Sequence, residues 1–345
     1  MGFFSDIKDI FSNPSRKRKY IFFGIGAFVL LLIIIIIICC TTGGKSKETK
    51  NSNLTPFESY LNTKKYLYVW TYPNANNFIQ FLVDHKFSKI FLYVGCLEWN
   101  KNDFLNGNFY NAGDIDSKEL IKKLNNKNIE VELCIYLNDN VDDFTNVEKM
   151  PEIAKAISKL KDSLNFTALH FDVEPESHEN YEALLKMYEE CRKYIKVSAI
   201  LKPAWLTLEM SSLENYFESS DYFKKFKDCE TFAEAVVKVT DYSDVMAYSN
   251  QYSKINNFLD IYEKILKKYS SHIGKPVLEL ETVIETYSTY ERYLEDKDNF
   301  FNYFANVSKK FDGVTIHHYT VWYQDLYCDK VTKDSNYYFG EPKTC

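Results

Sequence analysis

Along residues 66–319 short apolar runs with period-two alternation take turns with stretches whose apolar residues recur every three or four positions. The strand-like runs are 66–72, 89–95, 129–136, 168–174, 195–201, 244–249, 276–282 and 313–319. Helical spacing falls at 75–85, 118–125, 152–160, 181–194, 231–239, 258–269 and 291–311. Eight strands with a helix in each gap imply parallel crossovers. The span is close to the ~250 residues of a closed (β/α)8 barrel, so the expected class is an α/β, TIM-type barrel. A doubly wound open sheet is the rival, but its usual glycine-rich first turn does not follow Tyr72. The eighth helix is the weak point: only 323–329 could serve after the last strand, and 56–61 is the candidate to cover that gap.

One stretch departs from this alternation. Residues 21–40 contain no charge and include six consecutive isoleucines. At helical rise such a segment spans about 30 Å, the thickness of a bilayer core. It is longer than the apolar region of a cleaved signal, so a retained anchor is expected. Arg16-Lys17-Arg18-Lys19 abuts it and predicts a cytoplasmic amino terminus. The expected layout is a cytoplasmic segment (1–20), a transmembrane anchor (21–40), a stalk (41–54), the barrel (55–327) and a tail (328–345). The protein would be single-pass, with its carboxy-terminal domain lumenal or extracellular. Sequons at Asn53, Asn165 and Asn306 fall on the translocated side and predict a glycoprotein. Cys96, Cys134, Cys191, Cys229, Cys328 and Cys345 share that side, and disulfides are expected there, Cys328 with Cys345 as the first pair to test. Their spacings match no zinc pattern, and neither a metal nor a cofactor is called for. A net charge of −6 without a basic cluster beyond the anchor argues against nucleic acid. Oligomeric state is left open.

The chemistry concentrates at Leu169-His170-Phe171-Asp172-Val173-Glu174-Pro175. Alternation puts His170, Asp172 and Glu174 on one face of the fourth strand and Leu169, Phe171 and Val173 on the other. Three ionisable groups on one face of a core strand are costly unless the strand end opens into a site. In a barrel that site lies at the carboxy-terminal strand ends. Trp70, Trp99, Trp205 and Trp322 all map there, and aromatic residues make up 17% of the chain, as a sugar-stacking cleft would use. Other strand ends add Tyr136 and Asn138, Met246, Tyr248 and Asn250, Glu279 and Glu281, and His317 or His318. The bland alternative is an ion-paired structural strand, since such networks perturb carboxylates without catalysis.

Asp172-Val173-Glu174 resembles the Asp-x-Glu ending of the fourth-strand motif in family-18 chitinases and related endoglycosidases. Met246-Ala247-Tyr248 resembles their sixth-strand Met-x-Tyr-Asp, and Trp322 their eighth-strand tryptophan. His170 and Ser249 stand where that pattern has aspartate, and Ala168 where it has glycine. Glu174-Pro175 with Glu281 is also similar to the retaining-glycosidase clan, with Val173 in place of its asparagine. The resemblance implies a divergent glycoside hydrolase. Glycoside cleavage needs an acid for the leaving oxygen and a carboxylate for the oxocarbenium-like transition state. Glu174 is the expected acid, its proton affinity raised by like-charged Asp172. Asp172, orienting an acetamido group, or Glu281, as nucleophile, is the second carboxylate. Tyr248 would hydrogen-bond that carboxylate or the acetamido oxygen, and His170, Trp70, Asn138, His317 and Trp322 would shape the sugar subsite. The stretches 96–116 and 207–227 are expected as cleft walls. Three alternatives stay open: a carbohydrate-binding barrel that does not cleave, a metallohydrolase using His170, Asp172, Glu174 and His317, and a structural ectodomain without a cleft.

Overall fold

The computed structural model describes residues 54–72, 74–96, 108–137, 149–249, 251–279 and 297–317. Eight parallel strands close into a barrel in sequence order. They are β1 Lys65–Val69, β2 Lys89–Cys96, β3 Glu130–Leu137, β4 Leu169–Val173, β5 Val197–Leu201, β6 Tyr242–Met246, β7 Ile273–Glu279 and β8 Val314–His317. The barrel is closed by β1 lying beside β8, with Tyr66 opposite Thr315. Around it run α1 Pro56–Leu61, α2 Ala75–Asp84, α3 Ser117–Asn125, α4 Met150–Ser158, α5 Tyr181–Cys191, α6 Phe232–Val239, α7 Tyr252–Lys268 and α8 Lys297–Lys310. The helices begin where the chain offers caps. Asn74 accepts from the N–H of Asn77, Asp116 from those of Lys118 and Glu119, and Thr55 forms a reciprocal capping box with Glu58.

Strand alternation divides the interior in two. Leu67, Leu133, Leu169, Phe171, Val173, Leu201 and Ile316 point outward and form one continuous core with the helices. Tyr66, Tyr68, Phe91, Cys134, Ile200 and Val277 point inward and fill the lumen. The β2–β3 register slips between Tyr93 and Gly95, where Gly95 takes a φ of 147° that a side chain would resist. Bulges of this kind re-aim side chains near functional sites.

The eight predicted strands and the seven predicted helices between them recur, with shifted ends. β6 and β7 start at Tyr242 and Ile273, earlier than the expected 244 and 276. Lys275, within the earlier start of β7, points into the lumen and is 1% exposed. α1 does cover the gap beside β8: Phe57 and Tyr60 pack against Phe301 and Phe304 of α8 with ring centroids 5.0 to 5.2 Å apart. It is tied to β1 by Lys65, whose Nζ donates to the carbonyls of Tyr60, Leu61 and Thr63 at 3.1 to 3.2 Å.

Two expectations change. The stretch after β5 is not an open irregular wall. It coils into short turns at Pro203–Leu206, Met210–Tyr216 and Ser220–Phe223, burying Met210, Leu213, Phe217, Tyr222 and Phe226. Buried Glu182 of α5 holds it down by accepting from the N–H groups of Glu218 and Ser219. Secondly, Cys96, Cys134, Cys191 and Cys229 are free thiols. Strand alternation explains part of this, since Cys134 points into the lumen while Cys191 joins the core outside the sheet. The Cys328–Cys345 pair lies outside the described residues. No helix among the described residues is long and apolar enough to cross a membrane, and the expected anchor at 21–40 lies outside them.

The lumen holds a charged layer sealed from water. Lys89 pairs with Glu132 at 2.6 Å, and Lys275 lies 3.7 Å from Asp244. Removing one partner of a buried pair leaves an uncompensated charge and costs about 3–5 kcal/mol. Lys275→Met is therefore expected to lower the unfolding free energy by about that amount in a urea titration. Adding Asp244→Asn should recover part of the loss. An additive double variant would show that the two groups do not interact.

Candidate active site

The carboxy-terminal mouth of the barrel is built in two storeys. The lower storey is centred on His170, which is fully buried. Its Nε2 lies 2.5 Å from the hydroxyl of Tyr68 and its Nδ1 lies 2.8 Å from that of Ser198. A neutral imidazole offers one donor and one acceptor, so one hydroxyl donates and the other accepts. Nδ1 is also 4.0 Å from Glu132 Oε2 and 3.9 Å from Asp244 Oδ2. Burial nevertheless dominates and holds the imidazole pKa down to about 3. Glu132 stays ionised: burial would raise its pKa, but Lys275, Lys89 and His170 pull it to about 2. Asp244 goes the other way, raised to about 6 by burial and by Glu132 against the pull of Lys275. Its Oδ1 accepts from Thr315 at 3.1 Å.

The upper storey is where the lumen meets solvent. Asp172 sits one alternation above His170, in register with Tyr136 of β3, and is 8% exposed. Glu174 follows just past the end of β4, with its side chain 25% exposed. Trp70, Tyr93, Tyr136, Met246, Tyr248 and His317 are half-buried around them. Trp70 is the hub of this ring. It meets Tyr136 edge-on at 5.9 Å and Tyr93 at 5.2 Å, and its indole N–H donates to His317 Nε2 at 2.9 Å. Indole is a donor only, so Nε2 of His317 must be the accepting nitrogen. Tyr248 lies over the same imidazole at 6.1 Å.

Of the residues expected from the sequence, Asp172, Glu174, Trp70, Tyr248 and His317 converge on this mouth. Asn138, Glu281 and Trp322 lie outside the described residues, as do Trp99 and His318. His170 is a correction. It was expected to line the sugar subsite, but it is buried below Asp172 with both nitrogens engaged, which also removes it as a metal ligand. Trp205 is a second correction: it is 1% exposed, donates to the Tyr181 hydroxyl at 3.0 Å and packs on Phe232, away from any cleft. Among the described residues no His, Cys, Asp and Glu cluster is arranged to hold a metal ion.

Sequence reasoning missed Tyr68, Tyr93, Ser198, Lys202 and the lumenal charges Lys89, Glu132 and Lys275. The signal was present as ionisable residues spaced by two within apolar strands, as in Glu130-Val131-Glu132. Lys202, one residue past β5, places its Nζ 3.9 Å from Glu174 Oε2 and 3.9 Å from Glu176 Oε1. A cavity of about 290 Å³ at the opposite end of the strands is lined by Arg192, Lys196, Lys238 and Asp241. Its cations are spent on local partners, Arg192 on Asp241, Lys196 on Tyr242 and Lys238 on Asp228.

Fold and mouth together define a (β/α)8 barrel with acidic groups at the carboxy-terminal end of its fourth strand. No protein-family model matches the chain, and no curated protein is similar to it in sequence. The solved structures it is similar to include a chitinase from Chromobacterium violaceum, at 11% identity over 62% of this chain and 68% of that one, TM-score 0.42. The spore cortex-lytic enzyme SleL of Bacillus cereus is 9% identical over 74% of this chain and 70% of its own, TM-score 0.47. The GH18 chitinase ChiB of Flavobacterium johnsoniae is 13% identical over 74% and 87%, TM-score 0.42. The barrel itself rests on its own closed strand pairing.

The buried histidines set the response to acid. Burial holds His85 and His272 near a pKa of about 4 and His170 near about 3, each down from 6.5. As pH falls below 6.5 the unfolded chain takes up three protons that the folded chain refuses. Asp244, raised to about 6, takes up one in the folded state over the same range. Three against one, stability is expected to fall as pH drops from about 6.5 to about 4. Thermal unfolding midpoints across that range test this, with a shallower slope for His170→Gln. A midpoint that rises on acidification would contradict the assignment.

Proposed function

We propose that the chain is a membrane-anchored glycoside hydrolase acting on glycans on the lumenal or extracellular side, with Glu174 as general acid. The observation that carries this reading is Asp172 on the inward side of β4, with Glu174 just past the end of the strand and half-buried aromatic rings at the neighbouring strand ends. A sugar presents apolar C–H faces to such rings and a glycosidic oxygen to the acid between them. Asp172 lies deeper and drier, suited to stabilising positive charge at the anomeric carbon or orienting an acetamido group. Glu281 remains the rival second carboxylate, and Asn138 and Trp322 the further subsite residues. Tyr248 stands across the mouth as the hydroxyl for either partner. The uncharged run at 21–40 is the anchor in this reading, and the exposed side chains of Asn165 and Asn306 suit glycan attachment on the translocated side.

A second reading, a barrel that binds carbohydrate without cleaving it, is favoured by two contacts. Lys202 stands beside Glu174, and Ser249 is spent on the loop, accepting from the N–H of Gln251 at 3.0 Å. Hydrolysis by the full chain in detergent, against chromogenic glycosides and N-acetylglucosamine polymers, separates the two. The hydrolase reading expects Glu174→Gln to lower kcat by about 10²- to 10⁴-fold while polymer binding persists. Polymer binding with no release of reducing ends from either protein would establish the binding reading instead.

A further inference from the structure

We infer that His170 carries its proton on Nδ1, so that the hydrogen bonds beneath the mouth run in one direction. The Tyr68 hydroxyl donates to Nε2, and the Nδ1–H donates to the hydroxyl of Ser198. This goes beyond the hydrolase reading and does not depend on it. A neutral ring permits two arrangements: this one, and its reverse, in which Ser198 donates to Nδ1 and the Nε2–H donates to Tyr68. Three observations choose between them. The first is length. The Tyr68 oxygen lies 2.5 Å from Nε2. Bonds given by a hydroxyl reach down to about 2.5 Å, whereas those given by an N–H stop near about 2.7 Å. The phenol is therefore the donor. The Ser198 contact, at 2.8 Å, suits a donor on either side.

The second observation is charge. Glu132 Oε2 and Asp244 Oδ2 approach the ring at its Nδ1 end, at 4.0 and 3.9 Å. A carboxylate beside a ring nitrogen favours the proton there, and Glu132 acts on this imidazole more strongly than Lys275 or Lys89 does. The third is the fate of the hydrogen left over. In the reverse arrangement it belongs to Tyr68. That side chain is 1% exposed, and among the described residues Nε2 is the one hydrogen-bond partner of its hydroxyl. In the inferred arrangement the hydrogen left over belongs to Ser198, on the Nδ1 side of the ring. Glu132 Oε2 and Asp244 Oδ2 lie on that side as buried acceptors without a hydrogen-bond partner. A buried donor facing no acceptor carries its full desolvation cost, so the hydrogen is better placed on Ser198.

The direction of these bonds dictates what position 170 requires. Its side chain must accept from Tyr68 and donate towards Ser198 without adding charge. An imidazole does both, whereas an ionised carboxylate only accepts. Tyr68 is thereby held with its hydroxyl turned down into the lumen and its ring stacked under Trp70 at 6.4 Å. His170 is a positioning residue in this scheme: it is fully buried and acts on the mouth through Tyr68.

The test is ¹⁵N NMR of the full chain in detergent at neutral pH, labelled at histidine and tryptophan. His170 is assigned by its loss in His170→Asn, and the Trp70 indole by its loss in Trp70→Phe. Nδ1 is expected to resonate as a protonated nitrogen, and Nε2 as an unprotonated one that accepts a hydrogen bond. Tyr68→Phe should move Nε2 towards the position of a free unprotonated nitrogen, leave Nδ1 protonated and shift the Trp70 indole signal. Ser198→Ala should leave the proton on Nδ1. An unprotonated Nδ1 in the wild-type protein overturns the inference, and so does a ring protonated at both nitrogens. A Trp70 signal that ignores Tyr68→Phe removes the positioning role. Thermal unfolding supplies a second measurement. His170→Asn, neutral with one acceptor and one donor group, is expected to keep a higher midpoint than His170→Asp, a carboxylate of the same size. Equal or reversed midpoints would show that position 170 has no need of a donor.

Discussion

Everything at the mouth stands on the sealed ionic layer below it. Lys89, Glu132, Asp244 and Lys275 put charge where water does not reach, and each is 9% exposed or less. Taking such groups out of water costs several kcal/mol per ion unless partners return it. The return is made by geometry. Lys89 meets Glu132 directly, and Lys275 lies near Asp244 with its ammonium over the rings of Tyr66 and Phe91 at 5.0 and 5.2 Å. Those partners come from β1, β2, β3, β6 and β7, so the layer is satisfied only when the barrel is closed in this register. An apolar lumen would tolerate slippage of a strand by two residues. This one sets unpaired charges against such a slip.

The layer also passes its constraints upward. Glu132 and Asp244 flank His170, which in turn holds Tyr68 at one nitrogen and Ser198 at the other. Tyr68 stacks beneath Trp70 with centroids 6.4 Å apart, and Trp70 orients His317 through its indole N–H. From the dry base to the half-exposed rim there is an unbroken run of contacts. The residues a ligand would meet are therefore held by ones it never touches, which is what a preorganised site requires.

The fold was legible because its signal is redundant: eight alternating runs and seven helical spacings agree on one topology. The lateral order of charges was not. Lys275 and Asp244 pair across strands 31 positions apart in sequence, and alternation within one strand says nothing about which neighbour it will face. Trp205 failed for a related reason. Its position after β5 suggested the mouth, but the following turns fold back and enclose it with Tyr181 and Phe232. Asp172 and Glu174 were legible because the strand end itself sets where they point. Lys202 was not, since a lone lysine after a strand looks like any solvent-facing charge until Glu174 and Glu176 are beside it.

His170 shows why a departure from a familiar motif need not be a loss. In this lumen Nδ1 of His170 lies within 4.0 Å of one carboxylate and 3.9 Å of another. A third carboxylate at that position would confront Glu132 and Asp244 in a buried layer where, among the described residues, Lys89 and Lys275 are the cations paired with them. An imidazole held neutral by burial adds no charge. It still bridges Tyr68 and Ser198, so the hydrogen bonds across the lumen are kept while the charge count stays balanced. Asp172, one alternation above His170 on the same strand, then carries the charge that the lower position does not. His170 and the lysines at 89 and 275 are parts of one arrangement, and none can be read for function without the others.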